Sequence, residues 1–295
     1  MNEAEEIYLR VAPRRQLAEE WALVLVAEGL TPRVVHTRDG FRVSVPAEQR
    51  ESASAALAAY ERENPALPDE NADEPRGSAH LYVALAVSVA LVDMFFVTDV
   101  WHQAVPWFDL GGADAARILN GEPWRAVTAL TLHADLTHAL GNAIAGAIFL
   151  TAVCRALGPG LGCALALLSG VAGNLLNAFV HTAFHVSVGA STAVFGALGI
   201  LGGLGVMRRR RLGLRGRRAW LPIGAGLGLL AFLGTAGERV DLWAHLFGFV
   251  FGVALGIVSA LIVKRRPAAR VQWLWGVGAL ALIIFSWALA LQLGG

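Results

Sequence analysis

Seven apolar runs of roughly membrane-spanning length dominate this chain, near 79–100, 134–153, 160–180, 189–207, 219–236, 242–263 and 271–292. A helix rises 1.5 Å per residue, so about twenty apolar residues cross the ~30 Å hydrocarbon core of a bilayer. Lipid offers the backbone no hydrogen-bond partners, so each run has to satisfy its own, and a helix does so. The expected fold is therefore an all-α polytopic membrane protein. Composition agrees: 56% of residues are hydrophobic and 16% charged, against about 25% charged in a soluble domain.

The charges are unevenly spread. Residues 1–77 hold 15 of the 23 acidic side chains, which marks a small soluble α/β domain ahead of the membrane part. Within 1–65 the pattern reads βαββα. Ile7 to Val11 is expected as a strand and Arg14 to Glu28 as a helix ended by Gly29. Thr31 to His36 and Phe41 to Val45 form a hairpin turning at Asp39-Gly40, and Ala47 to Glu63 is a second helix. Residues 66–78 are a polar, Pro-containing linker. Met1 to Arg10 contain no apolar core, so no signal peptide is expected. Two cysteines, Cys154 and Cys163, are too few for a disulfide framework.

Basic residues orient the spans. Arg208 to Arg211 with Arg215, Arg217 and Arg218 follow the fourth run, and Lys264, Arg265, Arg266 and Arg270 follow the sixth. By the positive-inside rule both loops face the cytoplasm. The N-terminal domain is then cytoplasmic, and the aromatic-rich excursion 101–133 and the C-terminus lie outside. The arginine loop is read as a topology signal, with no nucleic-acid partner. High Ala, Arg and Gly content points to a bacterial inner membrane.

Against this apolar background three polar side chains stand out. Ionisable or polar groups at membrane depth are costly and mark candidate sites. Ser191 lies 17 residues before Arg208, His245 19 before Lys264, and His138 17 before Arg155. At 1.5 Å per residue all three sit about 25–28 Å from a basic anchor, in the outer part of the bilayer. A serine and a histidine at one depth are a nucleophile and its base. Gly248, Gly252 and Gly256 recur every four residues, and Gly196, Gly199, Gly202 and Gly203 line the facing run. Small residues at such spacing let two helices approach closely. Ser191 also opens its run, where free N–H groups suit an oxyanion. Asn142 lies one turn beyond His138.

The order and intervals of Trp124-Arg125, His133-x4-His138-x3-Asn142, Gly189-Ala-Ser191 and Ala-His245-x2-Gly248-x3-Gly252 resemble the signature of rhomboid intramembrane serine proteases. The likeness covers about 79–264. It implies a six-helix core with one extra C-terminal transmembrane helix, 271–292. It implies Ser191 as nucleophile and His245 as base in a dyad, with the Ser191 amide, His138 and Asn142 as oxyanion hole. Trp124, Arg125, His133, Gly189, Phe195, Gly248 and Gly252 would be supporting residues. Substrates would be single-pass or polytopic membrane proteins in the lipid bilayer, with no cofactor. Two positions depart from the pattern. Thr192 stands where many relatives have Gly, and is expected to narrow the site. Phe195 replaces a Tyr, keeping the ring but not the hydroxyl.

Two other classes compete. A catalytically inactive rhomboid-like protein that only binds membrane clients would typically lack the Ser or the His, and both are present. A metal enzyme would draw on His133, His138, His181, His185 and His245. His181 and His185 have a workable i, i+4 spacing, but no H-E-x-x-H occurs, and His133 and His138 do not share a helix face. No metal is expected. Asp241, four residues before His245, is expected to cap its helix rather than complete a triad.

Overall fold

A computed structural model describes residues 6–13, 15–64, 78–101, 104–181, 185–233 and 241–293. The chain divides into two compact units, Met1–Pro75 and Arg76–Gly295.

The first unit is built from β1 (Glu6–Ala12), α1 (Arg15–Ala27), β2 (Arg33–Thr37), β3 (Gly40–Pro46) and α2 (Arg50–Glu63). Strand β3 lies in the middle of the sheet and pairs antiparallel with both neighbours. The hairpin closes where Thr37 pairs with Gly40, whose φ of 131° favours glycine. Trp21 and Leu25 of α1, Val43 and Val45 of β3 and Leu57 of α2 form its core. The order matches the sequence reading; the expected first helical residue, Arg14, lies outside the described residues.

The second unit is helical. Its elements are α3 (Ala79–Phe95, continued by a π-helical turn to Trp101), α4 (Trp107–Gly111), β4 (Ala113–Asp114), α5 (Ala115–Leu119), α6 (Arg125–Thr128) and α7 (Leu136–Leu157). Then come α8 (Pro159–Val180), β5 (Val186–Ser187), α9 (Ser191–Arg211), α10 (Arg217–Leu233), α11 (Leu242–Ile262) and α12 (Ala269–Leu293). Among the described residues, six helices are long and apolar enough to cross a membrane: α3, α7, α8, α9, α11 and α12. The protein is thus a multi-pass membrane protein. The run expected over 219–236 forms α10, 17 residues with Pro222 inside, and falls below spanning length within the described residues. Its expected last three residues lie outside them.

Close helix packing sets the geometry of this unit. Helices α9 and α11 make its most extensive contact. A Cβ on Gly252 would strike the carbonyl of Gly196, and one on Gly256 the carbonyl of Ile200. Only hydrogen fits there, so the two backbones touch, as the glycine spacing suggests. Helix α12 is tied to the rest of the unit by polar contacts. The buried Gln272 accepts from the Leu161 N–H and donates to the Leu157 carbonyl, each at 2.9 Å, and so stitches the turn between α7 and α8. Trp287 Nε1 donates to Thr131 Oγ1 at 3.0 Å.

The excursion before α7 is more structured than its aromatic content suggested. Buried Arg125 binds Glu122 at 2.5 Å and donates to the carbonyls of Asp109 and Gly112. Trp107 meets Trp287 edge to face, with ring centroids 5.5 Å apart. Strand β4 pairs with β5, which anchors the segment leading into α9.

Candidate active site

Ser191 is the first residue of α9, and His245 lies in the first turn of α11. Each helix starts at the same end of the α9–α11 contact, because Gly248 packs against Thr192 and Gly252 against Gly196. The result is a direct contact: Ser191 Oγ stands 2.7 Å from His245 Nε2. That is hydrogen-bond distance, with the hydroxyl placed to donate to the ring. The Phe195 ring lies against His245 with centroids 4.6 Å apart, one helical turn beyond Ser191, and limits how the imidazole can turn. Thr192 directly follows Ser191 on α9. It is buried, and its methyl fits between Gly173 and Gly248. It fills the junction of α8, α9 and α11.

His138 and Asn142 reach the same place from α7. The chain enters α9 through Gly189, whose φ is 124°. A side chain at Gly189 would come within 2.7 Å of His138 Nε2 and 3.5 Å of Asn142 Nδ2. Both polar groups therefore lie against the backbone two residues before Ser191. Asn142 Nδ2 is buried and makes no hydrogen bond among the described residues. Most buried donors in folded proteins are paired, so this one is available to a ligand oxygen. Helix α7 is held in place by Asp135, whose carboxylate accepts from the His138 N–H at 2.8 Å.

His133 supports the entry to α9. Its Nε2 accepts from the Ala190 N–H at 3.4 Å, and its ring meets His138 edge to face at 5.2 Å. Burial, and then the neighbouring His138, push its pKa down to about 4, which keeps the accepting nitrogen neutral. Trp124 stands at the N-cap of α6, and Arg125 is the buried hub of the excursion.

Asp241 caps α11 as expected, accepting from the Ala244 N–H at 3.0 Å. Its other oxygen accepts from Asn177 Nδ2 at 2.6 Å and meets His185 Nε2 at 2.7 Å. Burial raises its pKa, but the Ala244 amide, His185 and Asn177 outweigh it and hold the carboxyl below its usual range. The sequence reading missed this cluster with His181 and His185. The i, i+4 pair was visible, but its acid comes from the N-cap of α11, 56 residues along the chain from His185, and no local spacing reports that.

A model of the rhomboid domain matches residues 120–262. The chain carries a rhomboid domain. That domain spans α6 to α11 and holds Ser191, His245, His138 and Asn142. Rhomboid-like protease 3 of Toxoplasma gondii is 33% identical over 178 residues, 57% of this chain and 66% of that protein. The rhomboid-family protein YdcA of Bacillus subtilis (strain 168) is 29% identical over 57% of this chain and 79% of its own length. Rhomboid protease GluP of the same strain is 29% identical over 65% of this chain but only 37% of its own length. The matched residues take in four of the six membrane-length helices, α7, α8, α9 and α11; the N-terminal unit, α3 and α12 lie outside them.

Proposed function

We propose that this protein is an intramembrane serine endopeptidase that cleaves membrane-protein substrates within or beside their transmembrane segments. The observation that carries the reading is the 2.7 Å contact between Ser191 Oγ and His245 Nε2 at the starts of two adjoining apolar helices. The names of the relatives and the free Asn142 donor beside Gly189 also support it.

In this mechanism Ser191 Oγ attacks the scissile carbonyl carbon while His245 Nε2 takes its proton. The carbonyl π electrons move to oxygen. Asn142 Nδ2, His138 and the Ser191 amide stabilise that oxyanion. Collapse breaks the C–N bond, and His245 returns the proton to the leaving amine. Water, deprotonated by His245, then hydrolyses the acyl-enzyme ester. The two side chains act as a dyad, because the Asp241 oxygens are engaged by Ala244, Asn177 and His185.

Access follows from packing. On α10, Cβ atoms at Gly224 and Gly228 would meet nothing within 4 Å. A Cβ at Gly226 would strike the Phe249 ring, but α10 packs chiefly on α9 and little on α11, and we propose it as the lateral gate that admits substrate from the bilayer. Water arrives from the aqueous end, since the lipid-facing flank is dry.

The test is cleavage of a single-span model substrate by detergent-purified protein. Wild type should cut it, and folded Ser191→Ala and His245→Ala should not. Full activity in either variant overturns the dyad. A wild-type protein that binds the substrate without cutting it would identify a non-proteolytic client-binding protein.

A further inference from the structure

We propose that His181, His185 and Asp241 bind a divalent cation of the zinc class, joining the end of α8 to the start of α11. One ring nitrogen of each histidine and a carboxylate oxygen of Asp241 lie within 4.8 Å of one another. His185 Nε2 is 2.7 Å from Asp241 Oδ2, and His181 Nε2 is 3.9 Å from Oδ1. The two imidazoles stack, with centroids 3.8 Å apart and planes 13° from parallel. The stack turns the same nitrogen of each ring towards one carboxylate. His181 Nε2 is buried and makes no hydrogen bond among the described residues. A hydrogen-bonded cluster alone has no use for that nitrogen, whereas a cation does.

The donor set selects the metal. Two imidazole nitrogens and one carboxylate oxygen suit zinc and its neighbours, while calcium and magnesium take oxygen donors. Zinc bonds of 2.0–2.2 Å place tetrahedral ligands roughly 3.4 Å apart. The observed 2.7 Å to Oδ2 and 3.9 Å to Oδ1 fall on either side of that value, and the near-parallel rings have to turn apart so that both nitrogen lone pairs meet one ion. The fourth position would hold water. Supporting contacts are already made: Asn177 Nδ2 and the Ala244 N–H orient the carboxylate, as outer-shell partners of metal ligands do. Each carboxylate oxygen keeps a lone pair for the ion.

Position gives the ion its effect. Asp241 is the N-cap of α11, and its carbonyl accepts from the His245 N–H. His185 directly precedes β5 and its carbonyl accepts from the Ala115 N–H. A bound cation would cross-link the first turn of α11 to α8 and to the strand leading into α9. Binding stabilises the folded state whether or not the protein is a protease.

The experiment uses the full chain, purified in detergent with a tag lacking histidine, stripped with EDTA and titrated with zinc chloride against a chromogenic indicator. Wild type should take up one ion that His181→Ala and His185→Ala each bind at least tenfold more weakly. Zinc should raise the thermal midpoint of wild type and leave those of the variants unmoved. Magnesium should do neither. Equal zinc uptake by wild type and by the double variant overturns the proposal and leaves a hydrogen-bonded His–Asp cluster. Should the variants fail to fold, X-ray absorption of zinc-loaded wild type decides instead. Nitrogen and oxygen neighbours at roughly 2.0–2.2 Å support the site. Sulfur neighbours at roughly 2.3 Å would move the ion to Cys154 and Cys163 and sink the proposal.

Discussion

Asn142 shows how one side chain can be both buried and uncommitted. Its Nδ2 lies beside Gly189 with no hydrogen-bond partner among the described residues, a costly arrangement unless a substrate oxygen arrives. Loss of one such donor lowers turnover by about 10²–10³. Asn142→Ala should therefore cut kcat while leaving KM near its wild-type value; steady-state kinetics on the model substrate would reveal an unchanged kcat and dismiss the role. His133 carries a pH dependence. Its pKa falls from 6.5 to about 4 on folding, so the unfolded chain binds the extra proton between those values. The stability it contributes is full above pH 6.5 and is lost as pH falls towards 4, about 3 kcal/mol in all. Thermal unfolding at pH 7 and pH 4.5 should show a lower midpoint in acid, and His133→Gln should flatten that difference.

At the scale of elements, the α9–α11 contact governs the site. Three glycines of α11 face backbone atoms of α9, and this registers Ser191 with His245. Adding bulk forces the helices apart, and overpacking typically costs about 1–3 kcal/mol. Gly252→Leu should lower the thermal midpoint and abolish cleavage, although residue 252 lies two turns from His245. A variant as stable and active as wild type would show that the pair tolerates separation. Helix α10 contrasts with this pair. Two of its glycines, Gly224 and Gly228, face no neighbour, while Gly226 lies against the Phe249 ring.

The whole molecule divides at its polarity boundary. The acidic first unit has its own core, and the second unit holds the apolar helices. By the positive-inside rule the Arg208–Arg218 loop is expected in the cytoplasm; with Ser191 about 25 Å along α9 from it, we propose that the site opens to the opposite face. In a background with Cys154 and Cys163 replaced, single cysteines at Ala104 and Leu214 test this. A membrane-impermeant thiol reagent on intact cells should label Ala104→Cys and spare Leu214→Cys. The reverse pattern would invert the topology and remove the access route.

The sequence by itself determined what a one-dimensional pattern can carry. Apolar length and turn dipeptides marked the βαββα unit and six of the seven expected spans, because bilayer thickness and backbone hydrogen bonding act locally along the chain; the seventh run forms α10, short of spanning length among the described residues. Depth along the spans, a sum of residue rises, also singled out Ser191, His245 and His138 as candidates, and the family resemblance added Asn142. Lateral neighbours were a different matter. That Thr192 packs into the α8–α11 junction, that Gln272 stitches the α7–α8 turn from 111 and 115 residues away, and that Asp241 meets His181 and His185 were decided only when the helices packed. Those contacts depend on crossing angles and side-chain shape in the membrane plane, which no spacing along a single helix encodes.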